Sequence, residues 1–421
     1  MKKPFLTLLF LLLYPIAVSD FAGEIVAESH IYSQHIKTLQ AIANNNWLSS
    51  PAVLRLRSDD VLYVSFDELS HTYHRYTYHI ERCEADWTTS EDLFLSDYID
   101  GFSEGNIIDD VNESINTNVL YTHYSFSVPN RECIIKMSGN YRLTVYDENK
   151  DNEKILSVCF MVVEPTFGVS MEVSGNTDID SHHAHQQVSL QVNYGNIIVS
   201  DAMKQIKTVI LQNMRWDNAV INPRPQYIMP NGLKWFHNKD MIFRAGNEFH
   251  KFEILDVNHP TMGIDRISWE EGDYHVWSFI DTPRLNYLYD EDANGAFYIR
   301  NSDNIENNRT SEYVYVHYTL SCPKPIKGDV FVNGWWTNQQ FSPKYKMNYN
   351  SENKCYEAII KQKQGYYSYQ YLKVDTNGSI KEMDTEGSFY QTENKYYAFV
   401  YYRGPGERTD RLLGYQEVQY K

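Results

Sequence analysis

Gly139-Asn140-Tyr141-Arg142-Leu143 is the stretch on which the fold class turns. Successive side chains of a strand point to opposite faces, so Tyr141, Leu143 and Val145 share one side, and that side reads as core. A tyrosine so placed resembles a tyrosine corner, in which the ring packs inward and the hydroxyl bonds back to the chain a few residues upstream. Leu143 stands where an antibody domain carries cysteine. Around this stretch lie short strand-like runs at 52–57, 61–67, 73–81, 122–128, 134–137, 141–147 and 157–163. Turn residues separate several of them, which is the cadence of a β-sandwich.

The first block, 24–165, is therefore expected to be an immunoglobulin-like sandwich. Glu164-Pro165 closes it, because proline cannot continue a central strand. A second block, 166–305, repeats the habit at 168–173, 187–194, 208–212 and 248–255, with Asn222-Pro223-Arg224-Pro225 as a loop. Residues 301–309 are polar and Asn-rich without apolar periodicity, and read as a linker. A third block, 311–421, carries runs at 313–320, 329–332, 356–361, 366–374 and 396–402. The expectation is an all-β chain of tandem immunoglobulin-like and early-set β-sandwiches. The 34 tyrosines suit pleated, half-buried surfaces, and no period suggests a solenoid or propeller.

Lys2 and Lys3 precede an apolar run at 5–16, and Ala17 and Ser19 place small side chains before Asp20. This is the grammar of a signal peptide over 1–19. The apolar run falls short of the roughly 20 residues that span a bilayer, so direct membrane insertion is not expected. A net charge of −17 argues against a nucleic-acid partner, which calls for a basic face. Five scattered cysteines (Cys83, Cys133, Cys159, Cys322, Cys355) are an odd number and no disulfide scaffold, so buried, unpaired thiols are the favoured reading.

Two constellations invite chemistry. Asp178-Ile179-Asp180-Ser181-His182-His183-Ala184-His185 holds metal-ligand residue types. His182 and His185 lack the i, i+4 spacing of a helical zinc site, and a polar loop between strands is the expectation, without metal. No G-x-S-x-G elbow, H-E-x-x-H or P-loop occurs, so neither an enzyme nor a cofactor is expected. Val332-Asn333-Gly334-Trp335-Trp336, followed by the aromatic run 366–371, looks like a glycogen-binding early-set module. Trp335 and Trp336 are accordingly the residues of an alternative, carbohydrate-binding reading, since aromatic faces stack on sugar rings.

Longer strings carry a more specific likeness. They are Trp87-Thr88-Thr89-Ser90, Asp97-Tyr98-Ile99-Asp100-Gly101-Phe102, Asn116-Thr117, Tyr121-Thr122-His123-Tyr124-Ser125-Phe126, Pro129 and Ser138-Gly139-Asn140-Tyr141 in the first block. Arg244-Ala245-Gly246-Asn247-Glu248-Phe249-His250-Lys251-Phe252 and Asn294-Gly295-Ala296-Phe297 follow in the second. The third adds Glu386-Gly387-Ser388-Phe389-Tyr390-Gln391-Thr392-Glu393-Asn394, Val400-Tyr401-Tyr402-Arg403 and Asp410-Arg411-Leu412-Leu413-Gly414-Tyr415. Together they resemble the plug protein family of the type IX secretion system of Bacteroidetes. Two departures are His250, where arginine is expected, and Pro405-Gly406-Glu407, which interrupts a loop expected to carry an aromatic.

The resemblance implies a non-enzymatic periplasmic protein, a monomer when free. It would bind the outer-membrane translocon barrel and occlude its periplasmic opening when no cargo passes. Because loops carry binding surfaces while strands hold the scaffold, the contact is expected on 403–415. Its candidate residues are Arg403, Gly404, Gly406, Arg408, Asp410 and Arg411.

Overall fold

The computed structural model describes residues 29–49 and 51–421; the signal peptide expected at 1–19 lies outside them. The strand Gly139–Asp147 pairs antiparallel with Tyr76–Cys83 on one side and Glu153–Val163 on the other. Tyr141, Leu143 and Val145 are fully buried. The Tyr141 hydroxyl donates to the Met137 carbonyl at 2.6 Å, which is the tyrosine-corner bond the spacing predicts. Asn106–Ile107, His30–Ile31 and the parallel strand Val53–Arg55 extend this sheet. The facing sheet runs in the order Ile36–Ala43, Leu62–Glu68, Thr122–Val128, Asp110–Glu113. Between the two, Leu62, Val64, Phe66 and Tyr124 meet Tyr76, Ile80, Leu143 and Phe160. Each such side chain contributes about 1.5–3 kcal/mol of burial.

The middle sandwich is assembled from two distant parts of the chain. One sheet holds Gly168–Ser174, His185–Asn193, Gly232–Trp235 and Tyr227–Met229, with Ile242–Arg244 beside them. The other is ordered Arg215–Ile221, Ile206–Gln212, Asn394–Tyr402, Arg411–Tyr420. Val209 sits opposite Phe399, so the C-terminal hairpin closes this sandwich and not the third. The consecutive blocks 166–305 and 311–421 are corrected accordingly. The third sandwich, from His250–Ile254 to Ile380–Glu382, is inserted between strands of the middle one.

That inserted unit is one continuous curled sheet. Its order is His250–Ile254, Gly365–Val374, Asp329–Asn333, Lys346–Asn350, Cys355–Lys363, Tyr313–Ser321, Asp273–Ser278, Ile264–Glu270. It closes over Phe252, Val316, Tyr318, Val330 and Tyr369. Among the described residues, helix is confined to pieces such as Leu95–Tyr98, Ala202–Gln205 and Asn307–Thr310. The expected linker is no free tether, since Asn301 is buried and the Asn308 carbonyl accepts from the buried Lys363 at 2.7 Å. Cys83, Cys133, Cys322 and Cys355 are buried free thiols, and burial pushes Cys83 and Cys133 up to about 11.

Candidate docking surface

Most of the residues expected to face a partner on 403–411 also bond within the molecule. Arg403 pairs with Glu84 and, at 3.0 Å, with Asp410. Asp410 also takes Lys207 at 2.8 Å and the Ala85 backbone N–H at 3.1 Å. Burial works against its ionised form, yet Lys207 and Arg403 hold it below the ordinary carboxylate range. The buried Arg82 donates to the Thr409 hydroxyl, the Asp410 carbonyl and, at 2.6 Å, the Ser138 carbonyl. Arg408 reaches Asp97 at 2.6 Å, and Arg411 pairs with Glu164. Gly404 is buried, while Gly406 is exposed on a turn. The loop therefore fastens the middle sandwich to the first, with Gly406 and Arg408 left exposed on its outer side. Its partners, Glu84, Asp97 and Glu164, come from far away in the chain, so the sequence gives no sign of these bonds.

A second set of buried bonds fastens the third sandwich to the first. Asp67 accepts from Lys363 at 2.6 Å, the Tyr313 hydroxyl at 2.6 Å and His123 Nδ1 at 2.7 Å. Both Asp67 and Lys363 are fully buried, and the Lys363 ammonium lies 4.0 Å from the Tyr121 ring centroid. Burial alone would raise the Asp67 carboxyl, but Lys363 and His123 draw it below its ordinary value. Burial also lowers Lys363, with Asp67 opposing. The three donors on Asp67 make the ionised aspartate the firmer assignment. An apolar seam of Cys83, Trp87, Met161, Trp216, Phe399 and Leu412 runs between the first and middle sandwiches. Close-packed and hydrogen-bonded in this way, the sandwiches resist motion against one another.

Trp335 and Trp336 form no open platform. Trp336 is 8% exposed and stacks on Tyr318 inside the third core. Trp335 is half-buried and lines a partly open pocket of about 120 Å³ together with Trp47, Trp87 and Trp216. In the histidine segment, His185 bonds Asp180 at 2.7 Å and His182 lies edge-on to Tyr390. His183 is exposed, 3.9 Å from the same carboxylate. Among the described residues no group of three or more His, Cys, Asp or Glu is placed to hold a metal ion. Among them, too, no helix is long and apolar enough to cross a membrane.

A surface feature with no strand cadence to announce it is the irregular strap 279–292. Leu285, Leu288 and Tyr289 stand 83%, 80% and 56% exposed along it. Its backbone is nevertheless held at several points. Asp281 binds His250 at 2.9 Å and accepts from Tyr369 and Tyr371 at 2.9 and 2.5 Å. Arg284 donates to the Glu248 carbonyl at 2.7 Å and to Glu386, while the Tyr287 hydroxyl donates to Glu248 at 2.7 Å. Asp292 accepts from the Phe249 and Asn294 backbone N–H groups at 2.5 and 2.6 Å. Burial, helped by the neighbouring Glu248, pushes Asp292 up to about 7. His250 bridges Asp281 and Glu386, at 2.9 and 2.7 Å, so the position calls for a cation. Histidine in place of the expected arginine keeps that function.

Comparison with protein-family models matches residues 36–164 to the type 9 secretion system plug protein first domain, the span of the first sandwich. A crystal structure of a hypothetical protein from Parabacteroides merdae ATCC 43184 superposes with TM-score 0.90 at 38% identity, covering 93% of this chain and 99% of that one. A collagen adhesin from S. aureus aligns at 8% identity with TM-score 0.10, too low to indicate a shared fold. A search of curated proteins found no match. The first sandwich is thus that of the type 9 secretion system plug protein first domain, and the whole fold is shared with a hypothetical protein more than a third identical.

Proposed function

We propose that this protein is a non-enzymatic plug that binds the periplasmic mouth of the type IX translocon barrel and closes it when no cargo passes. The observation that carries this reading is the family match over the first sandwich. The match also suits a cell-envelope location. The fold supports the reading physically. Charged bonds buried at two sandwich–sandwich interfaces, through Arg82 and Asp410 and through Asp67 and Lys363, give a rigid body. For about 390 residues a compact shape has a radius of gyration near 21 Å, hence roughly 55 Å across. Such a body stops a wide channel by shape and needs no reacting group. Release on demand is compatible with a large contact, because buried area does not fix affinity. The test is purification of the tagged native protein from gently solubilised envelopes, with partners identified by mass. The barrel should co-purify in near-equal amount. Its absence from the eluate, with the barrel abundant in the extract, contradicts the reading.

A further inference from the structure

The strap 279–292 is an unusual arrangement. It is irregular and apolar at its tip, yet buried or half-buried ionic and hydrogen-bonded groups hold it at Asp281, Arg284, Tyr287 and Asp292. Leu285 and Leu288 stand together with Tyr289 at one exposed tip, where their apolar surface gains nothing from water. Fixing the backbone while leaving the leucines outside is how a contact is pre-organised, since the ordering cost is met before the partner arrives. The stretches that carry the family likeness, 244–252 and 386–394, supply the anchors Glu248, His250 and Glu386.

We propose that Leu285, Leu288 and Tyr289 are the anchor residues by which this protein docks on the translocon barrel, entering an apolar cleft whose rim is basic. The proposal rests on the plug reading and adds to it the surface and the chemistry of its counterpart. Charge selects the occupant. Glu291 adjoins the tip beside Asp290, which Lys251 pairs at 2.5 Å, and Glu393, Glu291 and Glu248 act electrostatically on Tyr289, which leaves the face acidic. A second copy meeting this face across a twofold axis would set those acids against themselves. An anionic lipid surface would repel them as well. A rim of Lys or Arg around an apolar cleft satisfies both the leucines and the acids.

Two measurements on the full-length protein test this. In the first, a photo-reactive amino acid replaces Leu288 in cells, with the same probe at Ile198 (87% exposed, on the middle sandwich) as control. The expected result is an adduct with the barrel, identified by mass, from position 288 and none from 198. An adduct with a second copy of this chain, or with no protein, overturns the proposal. In the second, binding of purified protein to the detergent-solubilised barrel is compared for wild type, Leu285→Asp/Leu288→Asp and Ile198→Asp. The double variant should bind at least tenfold more weakly, as loss of interface anchors does, and Ile198→Asp should bind as wild type. Equal binding by the double variant overturns the strap while leaving the plug reading intact. Failure of the wild type itself to bind overturns both. Near-ultraviolet circular dichroism reports whether the double variant keeps its fold, and if it does not, the crosslink at 288 decides.

Discussion

Replacing Asp67 by Leu should loosen the third sandwich from the first at a cost of about 3–5 kcal/mol, the range for removing one partner of a buried ion pair. The geometry supports the upper part of that range. Three donors lose their acceptor at once, Lys363 Nζ at 2.6 Å, Tyr313 Oη at 2.6 Å and His123 Nδ1 at 2.7 Å. Bonds to a charged group contribute about 1.5–3 kcal/mol each, a sum moderated because Lys363 keeps the Asn308 carbonyl and the Tyr121 ring. Lys363→Met alone should cost a similar amount, because it strands a buried carboxylate. The two together should cost only about 1–3 kcal/mol, since no buried charge is then left unpaired and the residual loss is that of Tyr313 and His123. The assay is equilibrium urea unfolding by tryptophan fluorescence, combined as a double-mutant cycle. Limited proteolysis at 300–312 would report release of the inserted sandwich. The depressed Asp67 carboxyl adds a pH signature. Its contribution is complete above about 3.9, its unfolded value, and is lost as pH falls through the lower folded one. Singles that leave stability unchanged, or a double variant costing the full sum of the singles, would refute the coupling on which the rigid body depends.

Three further outcomes are expected. Burial alone would lower His250, but Asp281 and Glu386 carry it up to about 9. Stability from this cation is therefore complete below about 6.5 and is lost as pH rises through 9. The thermal midpoint should fall between pH 7.5 and 9, and His250→Arg should flatten that slope. Tyr141→Phe should cost about 1 kcal/mol in urea unfolding, the value of the hydrogen bond to the Met137 carbonyl, with the core otherwise intact. Gly101→Ala should destabilise the first sandwich by about 2 kcal/mol or more in the same assay. Gly101 has φ +100°, and an added Cβ would overlap the Glu132 carbonyl oxygen across the pair with Cys133.

What could be read in the amino-acid sequence was the local part of the fold. Tyr141, Leu143 and Val145 announce their face by period alone, and the corner bond spans only four residues. Pairing is not local, and there the reading fell short. Tyr396, Ala398 and Val400 face the middle core, while Tyr397, Phe399 and Tyr401 face the first sandwich. A strand buried on both faces shows no alternation, so nothing in 394–402 says which sheet receives it. The fastening role of the loop 403–411 was hidden for a related reason, because the carboxylates that Arg403, Arg408 and Arg411 meet lie far away in the chain. The tryptophans of 335–336 likewise read as a ligand platform or as core; burial places Trp336 in the core, while Trp335 is half-buried on a partly open pocket. The strap lacked any periodic signal. Its one trace was a pair of leucines, Leu285 and Leu288, in a proline-containing stretch without strand alternation.

The central claim is occlusion, and permeability tests it most directly. A barrel wide enough for folded cargo has no intrinsic filter against small solutes, since selectivity needs a constriction or a ring of charges. The measurement is entry of a large glycopeptide antibiotic or a fluorescent dye into strains lacking this protein, lacking the barrel, or lacking both. The account predicts a leak in the first strain that disappears in the double deletion, because an absent pore needs no stopper. Permeability equal to the parent in the first strain, with the barrel confirmed in the outer membrane, would contradict it.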